Sequence, residues 1–355
     1  MSRGRKTKFV SIIWGYPPIM HNTVLEENYH LHTLEVAKSA GYEPWAIVKG
    51  SKEMMEKDPN FDKAIGVIDY KNIFQFIFRL LGLSFQNSIF YVNSYEPLSF
   101  VVPFLSRRTI FMAHTQPKRK TKAKQIIQNF VYKFFTRIRL NNETEKEYLI
   151  SQGVNASKLA VIPLPVSQNI FRLEENQPVR KDVVYFGSVT LTKNLSTILK
   201  ALKEVKVSKS DIKLNIIGEI VDDGFVAQVR DLGLENDVIM HGRLAQNEKL
   251  TTLLNSMLIF VNSSKNEGQC VAVYDAALCG CVLCLPKIMS FEGVFRDLAL
   301  FHDVYDHKQL AKNIIFYLDN PDIIRKHRTN CIEMIKKGYS KEVIEEKLKK
   351  MIANV

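Results

Sequence analysis

No stretch of this 355-residue chain stays apolar for long. The longest apolar-rich run, Ile73 to Phe85, is interrupted by Gln75 and Arg79. It falls well short of the roughly 20 residues that cross a bilayer. The N-terminus opens on Arg3, Arg5, Lys6 and Lys8, as a secretory leader would. The apolar segment behind it, Phe9–Trp14, has only six residues before it meets Gly15 and Pro17. A leader needs an apolar region of about 7–15 residues and a small-residue cleavage site. Phe9–Trp14 therefore reads as a first buried strand, and the protein as cytoplasmic. Cysteine is scarce as well. Of five cysteines, Cys270, Cys279, Cys281 and Cys284 fall within fifteen residues and Cys331 stands apart. Their neighbours are Val282, Leu283 and Leu285 rather than histidines. That context excludes a disulfide scaffold and argues against a zinc site, which leaves reduced thiols in a core.

Acid is missing where base is dense. From Pro97 to Asn142 there is no Asp or Glu, against ten Lys and Arg. Residues 1–175 hold 24 basic and 15 acidic side chains, so they carry +9 of the formal net charge of +12. Lys118, Arg119, Lys120, Lys122 and Lys124 lead into Lys133, Arg137 and Arg139, interleaved with Phe130, Tyr132, Phe134 and Phe135. A basic, aromatic stretch over 117–139 suits a solvated helix or an anionic partner: a membrane surface, nucleic acid or a phosphorylated substrate. No nucleic-acid module accompanies it, so nucleic acid is not expected.

What the chain does have is apolar mass for two cores, 46% hydrophobic against 24% charged, at a length that suggests two domains. Short apolar runs recur between helical patterns. The first series is Phe9–Trp14, Trp45–Val48, Ile65–Ile68, Ile89–Val92, Thr109–Ala113 and Ala160–Ile162. The second is Val183–Phe186, Leu214–Ile217, Val238–Met240, Leu258–Val261 and Val282–Leu285. Strands alternating with crossover helices predict an α/β chain with two doubly wound parallel sheets. The polar break around Pro178 separates a domain over 1–172 from one over 182–325, with 173–181 as linker. The end, 326–355, reads as helices that pack back on the first domain.

Two segments carry candidate chemistry. The first follows the strand Leu258–Val261. It brings Ser263, Ser264, Glu267, Gly268, Gln269, Cys270 and Val271, then Asp275 eight residues after Glu267, and ends at Gly280. A loop acid, free N–H groups at a helix start and a second acid on the helix suit an anionic or hydroxyl-rich ligand, though two solvated acids have the same pattern. The second segment follows Val183–Phe186 with Gly187, Ser188 and, at a helix start, Lys193. Two further candidates stand after other strands: Arg243 in His241-Gly242-Arg243, and His114 after Thr109–Ala113.

The segment 263–280 resembles the acid-x7-acid signature of retaining glycosyltransferases with the GT-B fold, especially family 4, the glycosyl transferases group 1. The resemblance implies two Rossmann-like domains facing a central cleft. It implies that Glu267 and the loop 268–271 meet the donor sugar, and that Asp275 binds the ribose of the nucleotide. It also implies that Lys193 holds the donor diphosphate and that His114 lies near the sugar. Three departures stand out. Asp275 replaces a glutamate, Gln269-Cys270 replaces Phe-Gly, and Ser188 replaces the arginine that normally joins the lysine. Arg243 is the candidate substitute for that missing cation. The first glycine-rich loop of the family is replaced by Trp14-Gly15-Tyr16-Pro17-Pro18 and His21-Asn22-Thr23. No Asp-x-Asp occurs anywhere. A diphosphate held through a divalent ion would call for such a pair, so no metal and no cofactor are expected.

The implied function is retaining transfer of a sugar from a nucleotide-sugar to a glycan or lipid-linked acceptor, as in polysaccharide biosynthesis. The protein would be cytoplasmic, or peripheral at the inner face of a membrane through 117–139. Two alternatives share the fold: a sugar-nucleotide epimerase, and a drifted sugar-nucleotide-binding subunit marked by Ser188, Cys270 and Asp275.

Overall fold

The computed structural model describes residues 6–14, 29–58, 60–93, 97–113, 122–174 and 180–355. They form two compact units, the described part of 1–164 with Glu342–Val355, and Pro165–Lys341. The division falls at Leu164–Pro165, ahead of the polar break. Residues 165–172 go with the second unit because Phe171 packs in its core and Val166 N–H donates to Tyr339 O at 3.0 Å.

The first unit runs β1 (Lys8–Ile13), α1 (Tyr29–Ser39), β2 (Glu43–Lys49), α2 (Lys52–Glu56) and β3 (Gly66–Tyr70). Then follow α3 (Ile73–Ser84), β4 (Ser88–Val92), α4 (Val102–Leu105) and β5 (Thr109–Met112). It continues with α5 (Lys122–Tyr132), β6 (Arg137–Leu140), α6 (Glu143–Ser151) and β7 (Leu159–Val161). All seven strands are parallel, in the order β3-β2-β1-β4-β5-β6-β7. Helices cover them, which is why the strands read as apolar runs rather than alternations. Every residue of β4 is buried.

Strand β6 is absent from the sequence reading, which gave Arg137 and Arg139 to a basic face. Only part of that stretch is surface. Arg139 is 1% exposed, and it donates to Ile162 O at 2.6 Å, Pro163 O at 2.8 Å and the Tyr91 hydroxyl at 3.1 Å. Its charge is spread over two carbonyls of the chain just past β7. Tyr132 and Phe135 are core residues as well, while Phe130, Lys133 and Phe134 face out.

Local signals set the helix starts. Asn142 accepts from Glu145 N–H at 2.9 Å, and Glu145 Oε2 accepts from Asn141 N–H at 2.9 Å, a reciprocal cap on α6. Asn72 caps α3 in the same way through Gln75 N–H at 3.0 Å.

The second unit runs β8 (Val183–Phe186), α7 (Leu195–Lys206), β9 (Leu214–Ile217), α8 (Gly224–Asp231) and β10 (Val238–Gly242). It goes on through α9 (Glu248–Ser256), β11 (Ile259–Val261), α10 (Val271–Leu278) and β12 (Val282–Pro286). It closes with α11 (Met289–Phe295), β13 (Ala299–His302), α12 (His307–Asp319) and α13 (Pro321–Gly338). Six parallel strands stand in the order β10-β9-β8-β11-β12-β13. Successive strand residues serve opposite layers. Val183 and Tyr185 join one core, and Val184 the other. Strand β13 was not anticipated; its four residues follow a short helix with no turn signal between.

The last helix, α14 (Lys341–Ala353), belongs for all but its first residue to the first unit. Ile344, Leu348 and Ile352 are buried at helical spacing. Glu345 Oε1 meets His32 Nε2 of α1 at 3.2 Å, and Arg108 Nε donates to Val355 O at 3.2 Å. α13 stays with the second unit, against α10. No helix among the described residues is long and apolar enough to cross a membrane.

Candidate active site

The strand order of the second sheet reverses at β8. The chain leaves β8 for β9 and β10 on one side, then returns to β11 on the other. Crossovers there diverge, so the carboxyl ends of β8 and β11 open onto a common space. β8 and β11 pair directly, Val183 with Ile259 and Val184 with Phe260. The loop after β8 holds Gly187, Ser188 and Lys193, and the loop after β11 holds Glu267 to Cys270. Strand pairing thus brings together two segments about seventy residues apart in sequence.

Backbone contact sets the floor of this space. Gly187 has φ +150° and Gly218, at the end of β9, has φ +148°. A Cβ on Gly218 would lie 2.0 Å from Gly187 O. Only glycine allows the two strand ends to close up in this way. A cavity of about 460 Å³ opens beside the turn, between Thr190–Thr192 and Val221–Gly224.

The two loops are tied by hydrogen bonds. Asn194, with φ +55° and ψ +43°, precedes α7 in the left-handed region. Its Nδ2 donates to Ser263 O at 3.2 Å and to Val304 O, beyond β13, at 2.8 Å. Ser263 Oγ donates back to Asn194 O at 2.7 Å, and Lys265 N–H to Thr192 O at 3.0 Å. Asn194 is a positioning residue that the sequence reading passed over. An asparagine directly ahead of an amphipathic helix is the signal that would have drawn attention to it.

On this frame Lys193 Nζ donates to Glu267 Oε1 at 2.5 Å, and Ser264 Oγ donates to the same oxygen at 2.7 Å. The pair is largely covered, with 23% and 10% of the side chains exposed. Gly268 and Gln269 follow, half-buried, and Cys270 precedes α10 as its N-cap residue. Asn262 Nδ2 approaches Cys270 Sγ at 3.8 Å. Burial, then the neighbouring Glu267 charge, push the Cys270 thiol up to about 12, while Lys193 opposes them. The thiol therefore stays protonated at neutral pH and is no nucleophile. Val271 opens α10, and Asp275, one turn on, is buried. The structure brings Lys193 and Glu267 into contact; the Asp275 charge raises the Cys270 thiol only as a smaller contribution behind burial and Glu267.

Other candidates fall elsewhere. Ser188 is exposed beside the turn. Arg243 is exposed after the edge strand β10, two strands from the point of reversal. His114, His21–Thr23 and Gly15–Pro18 lie outside the described residues. Among the described residues no group of three His, Cys, Asp or Glu side chains is placed to hold a metal ion.

Residues 167–338, almost the whole second unit, match the family model described as glycosyl transferases group 1. That places the second unit in this family. The chain also resembles solved structures along its length. HepE from Anabaena, solved in complex with UDP, has 15% identity and a TM-score of 0.76, covering 98% of this chain and 100% of that one. Sucrose-phosphate synthase from Thermosynechococcus elongatus has 15% identity and a TM-score of 0.76, with 96% and 97% covered. A glycosyltransferase from Rickettsia africae has 15% identity and a TM-score of 0.76, with 99% and 100% covered. At that identity the likeness is one of fold. The fold is GT-B, two units each built on a doubly wound parallel sheet.

Proposed function

We propose that the protein is a retaining glycosyltransferase that uses a nucleotide-sugar and works without a metal ion. The observation that carries this reading is the Lys193–Glu267 pair, held where the crossovers from the paired strands β8 and β11 diverge in a group 1 domain. A diphosphate leaving group develops negative charge as the bond to the sugar breaks. A preorganised ammonium at that point stabilises the charge directly. The acceptor hydroxyl oxygen bonds to the anomeric carbon on the face from which the diphosphate departs, and the departing diphosphate takes the hydroxyl proton. Glu267 positions Lys193 and meets the sugar hydroxyls. Asp275, buried a turn into α10, receives the ribose. The solved HepE complex holds UDP, which supports a uridine nucleotide as the first donor to try. The acceptor is a glycan or a lipid-linked sugar, and the basic stretch 117–139 favours the lipid-linked one, at an anionic membrane surface.

A second reading has one observation behind it. Ser188 is exposed where a second cation would stand, and a site with half its charge suits a binding subunit that lacks turnover. A panel of sugar nucleotides separates the two, read by thermal shift and by mass spectrometry of the products. Stabilisation by one donor with slow hydrolysis in EDTA, lost in Lys193→Ala and Glu267→Ala, is the expected result. Stabilisation without turnover, with or without acceptor, would favour the binding subunit. No stabilisation by any nucleotide would overturn both.

A further inference from the structure

Helix α3 is apolar on both sides. Phe76, Leu80 and Leu83 point into the core at helical spacing. Phe74, Phe78 and Leu81 repeat the same spacing on the opposite side, and Phe85 extends that stripe. Phe74 is 80% exposed, Phe78 73% and Phe85 86%. A surface helix ordinarily keeps polar residues on its outer face; the polar residues of α3, Gln75, Arg79 and Ser84, fall between its two apolar stripes.

The outer faces of its neighbours continue the surface. α3 lies against α4, and α3, α4 and α5 bury Phe76, Val102 and Val131 in one core on the same side of the sheet. Phe104 on α4 meets Phe134, just past α5, with ring centroids 4.8 Å apart, and Phe134 meets Phe130 at 5.2 Å. These three rings are exposed, as are Ile126 and Ile127 on α5. Of the seven exposed phenylalanines among the described residues, six belong to this surface. Scattered apolar residues are ordinary on a protein surface; a concentration of this kind marks an interaction site.

Charge selects the partner. From Lys71 to Asn142 the sequence has twelve Lys and Arg and one acid, Glu96. Lys71, Arg79, Arg107 and Lys133 are exposed along this part of the chain. A two-fold contact with a second copy would set this basic surface against itself, which repels. An anionic bilayer supplies hydrocarbon for the rings and negative headgroups for the cations.

We propose that the outer face of α3, α4 and α5 docks on an anionic lipid bilayer, with Phe74, Phe78 and Phe85 entering the interface. This adds an apolar anchor, remote in sequence, to the basic stretch. It rests on the proposed function for the meaning of the location, and on none of the donor chemistry.

The test is co-sedimentation of the full chain with vesicles of phosphatidylcholine alone and of equimolar phosphatidylcholine and phosphatidylglycerol. Binding to the mixed vesicles is expected to exceed that to phosphatidylcholine by at least about tenfold, and to weaken with salt. Phe74→Glu/Phe78→Glu is expected to weaken it by about tenfold or more. Its melting temperature and its stabilisation by donor, both measured without vesicles, should be unchanged. Arg79→Glu/Lys133→Glu should lower both the binding and its salt dependence. Wild type that ignores the anionic vesicles overturns the proposal, as does a phenylalanine variant that binds them equally well. A variant that turns a dimer into a monomer with no change in vesicle binding would also overturn it, and would assign the face to self-association. Because donor stabilisation is read separately, loss of the donor site and loss of the membrane surface give different results.

Discussion

Lys193 and Glu267 lie 74 positions apart in the chain and 2.5 Å apart in space. Each comes from a loop that begins at the carboxyl end of a strand, and those strands, β8 and β11, are neighbours in the sheet. Ser264 holds the same carboxylate oxygen, and Asn194 locks the two loops together. The ammonium is thus held by an ion pair within the chain; in the proposed transfer, little reorganisation would be needed as charge develops on a diphosphate.

Removing either partner tests that preorganisation. Lys193→Ala should lower turnover by about 10²–10³-fold, the usual cost of losing one electrostatic stabiliser. Glu267→Gln keeps the shape and releases the ammonium from its ion pair. It should lower turnover less than Glu267→Ala does. Steady-state kinetics on the donor identified by the thermal-shift panel checks both, and equal losses in the two Glu267 variants would contradict a positioning role through Lys193.

Gly218→Ala should destabilise the second unit by about 3 kcal/mol or more, because its Cβ would meet Gly187 O at 2.0 Å and both are backbone. Gly224→Ala is the control. Its Cβ would sit 3.4 Å from Asp222 Oδ1, an ordinary contact. Denaturant melts should separate the two clearly, and donor-induced stabilisation should vanish only in Gly218→Ala.

All five cysteines are free. Burial pushes Cys270, Cys281 and Cys331 up to about 12, and Cys279 and Cys284 higher still. A thiol reagent should therefore find no fast-reacting group in the native protein between pH 7 and 9, and five in guanidinium. Cys270 is the one half-buried thiol of the five, so a fast reaction there would show that its raised thiol ionises near neutral pH after all.

Glu145 gives a pH dependence of defined sign. Burial raises its carboxyl from the ordinary 4.5 to about 7, despite hydrogen bonds from Asn141 and Asn142 that lower it. The folded chain holds this proton more tightly than the unfolded chain. Its contribution to stability is therefore complete below about 4.5 and is lost as pH rises through about 7. Glu145→Gln removes that dependence and can still accept from Asn141 N–H. It should leave the melting temperature near pH 5 almost unchanged and raise it at pH 8, by up to about 3 kcal/mol of stability. A decrease at pH 8 would show that the ionised form is the one the cap needs.

Much of this protein was determined by local sequence. Apolar runs spaced for crossover helices dictated two parallel sheets, because a strand covered on both faces needs apolar residues on both. Asn72 and Asn142 marked helix starts through bonds that span three residues. The spacing of Glu267, Gly268 and Asp275 marked the loop after β11 as a candidate site. The tertiary structure decided the rest, wherever the outcome depended on pairing between distant segments or on which face was covered. Arg137 and Arg139 look like surface charge, yet β6 carries Arg139 into the interior because carbonyls at 162 and 163 receive it. Lys193 meets Glu267 only because β8 pairs with β11, and no local pattern specifies that partner. The run Ile73 to Phe85 shows only as apolar in sequence; the six phenylalanine and leucine side chains of α3 divide between core and solvent because the sheet lies on one side of it alone. Hydrophobicity says that a face seeks cover, and only the packed chain shows whether it finds it.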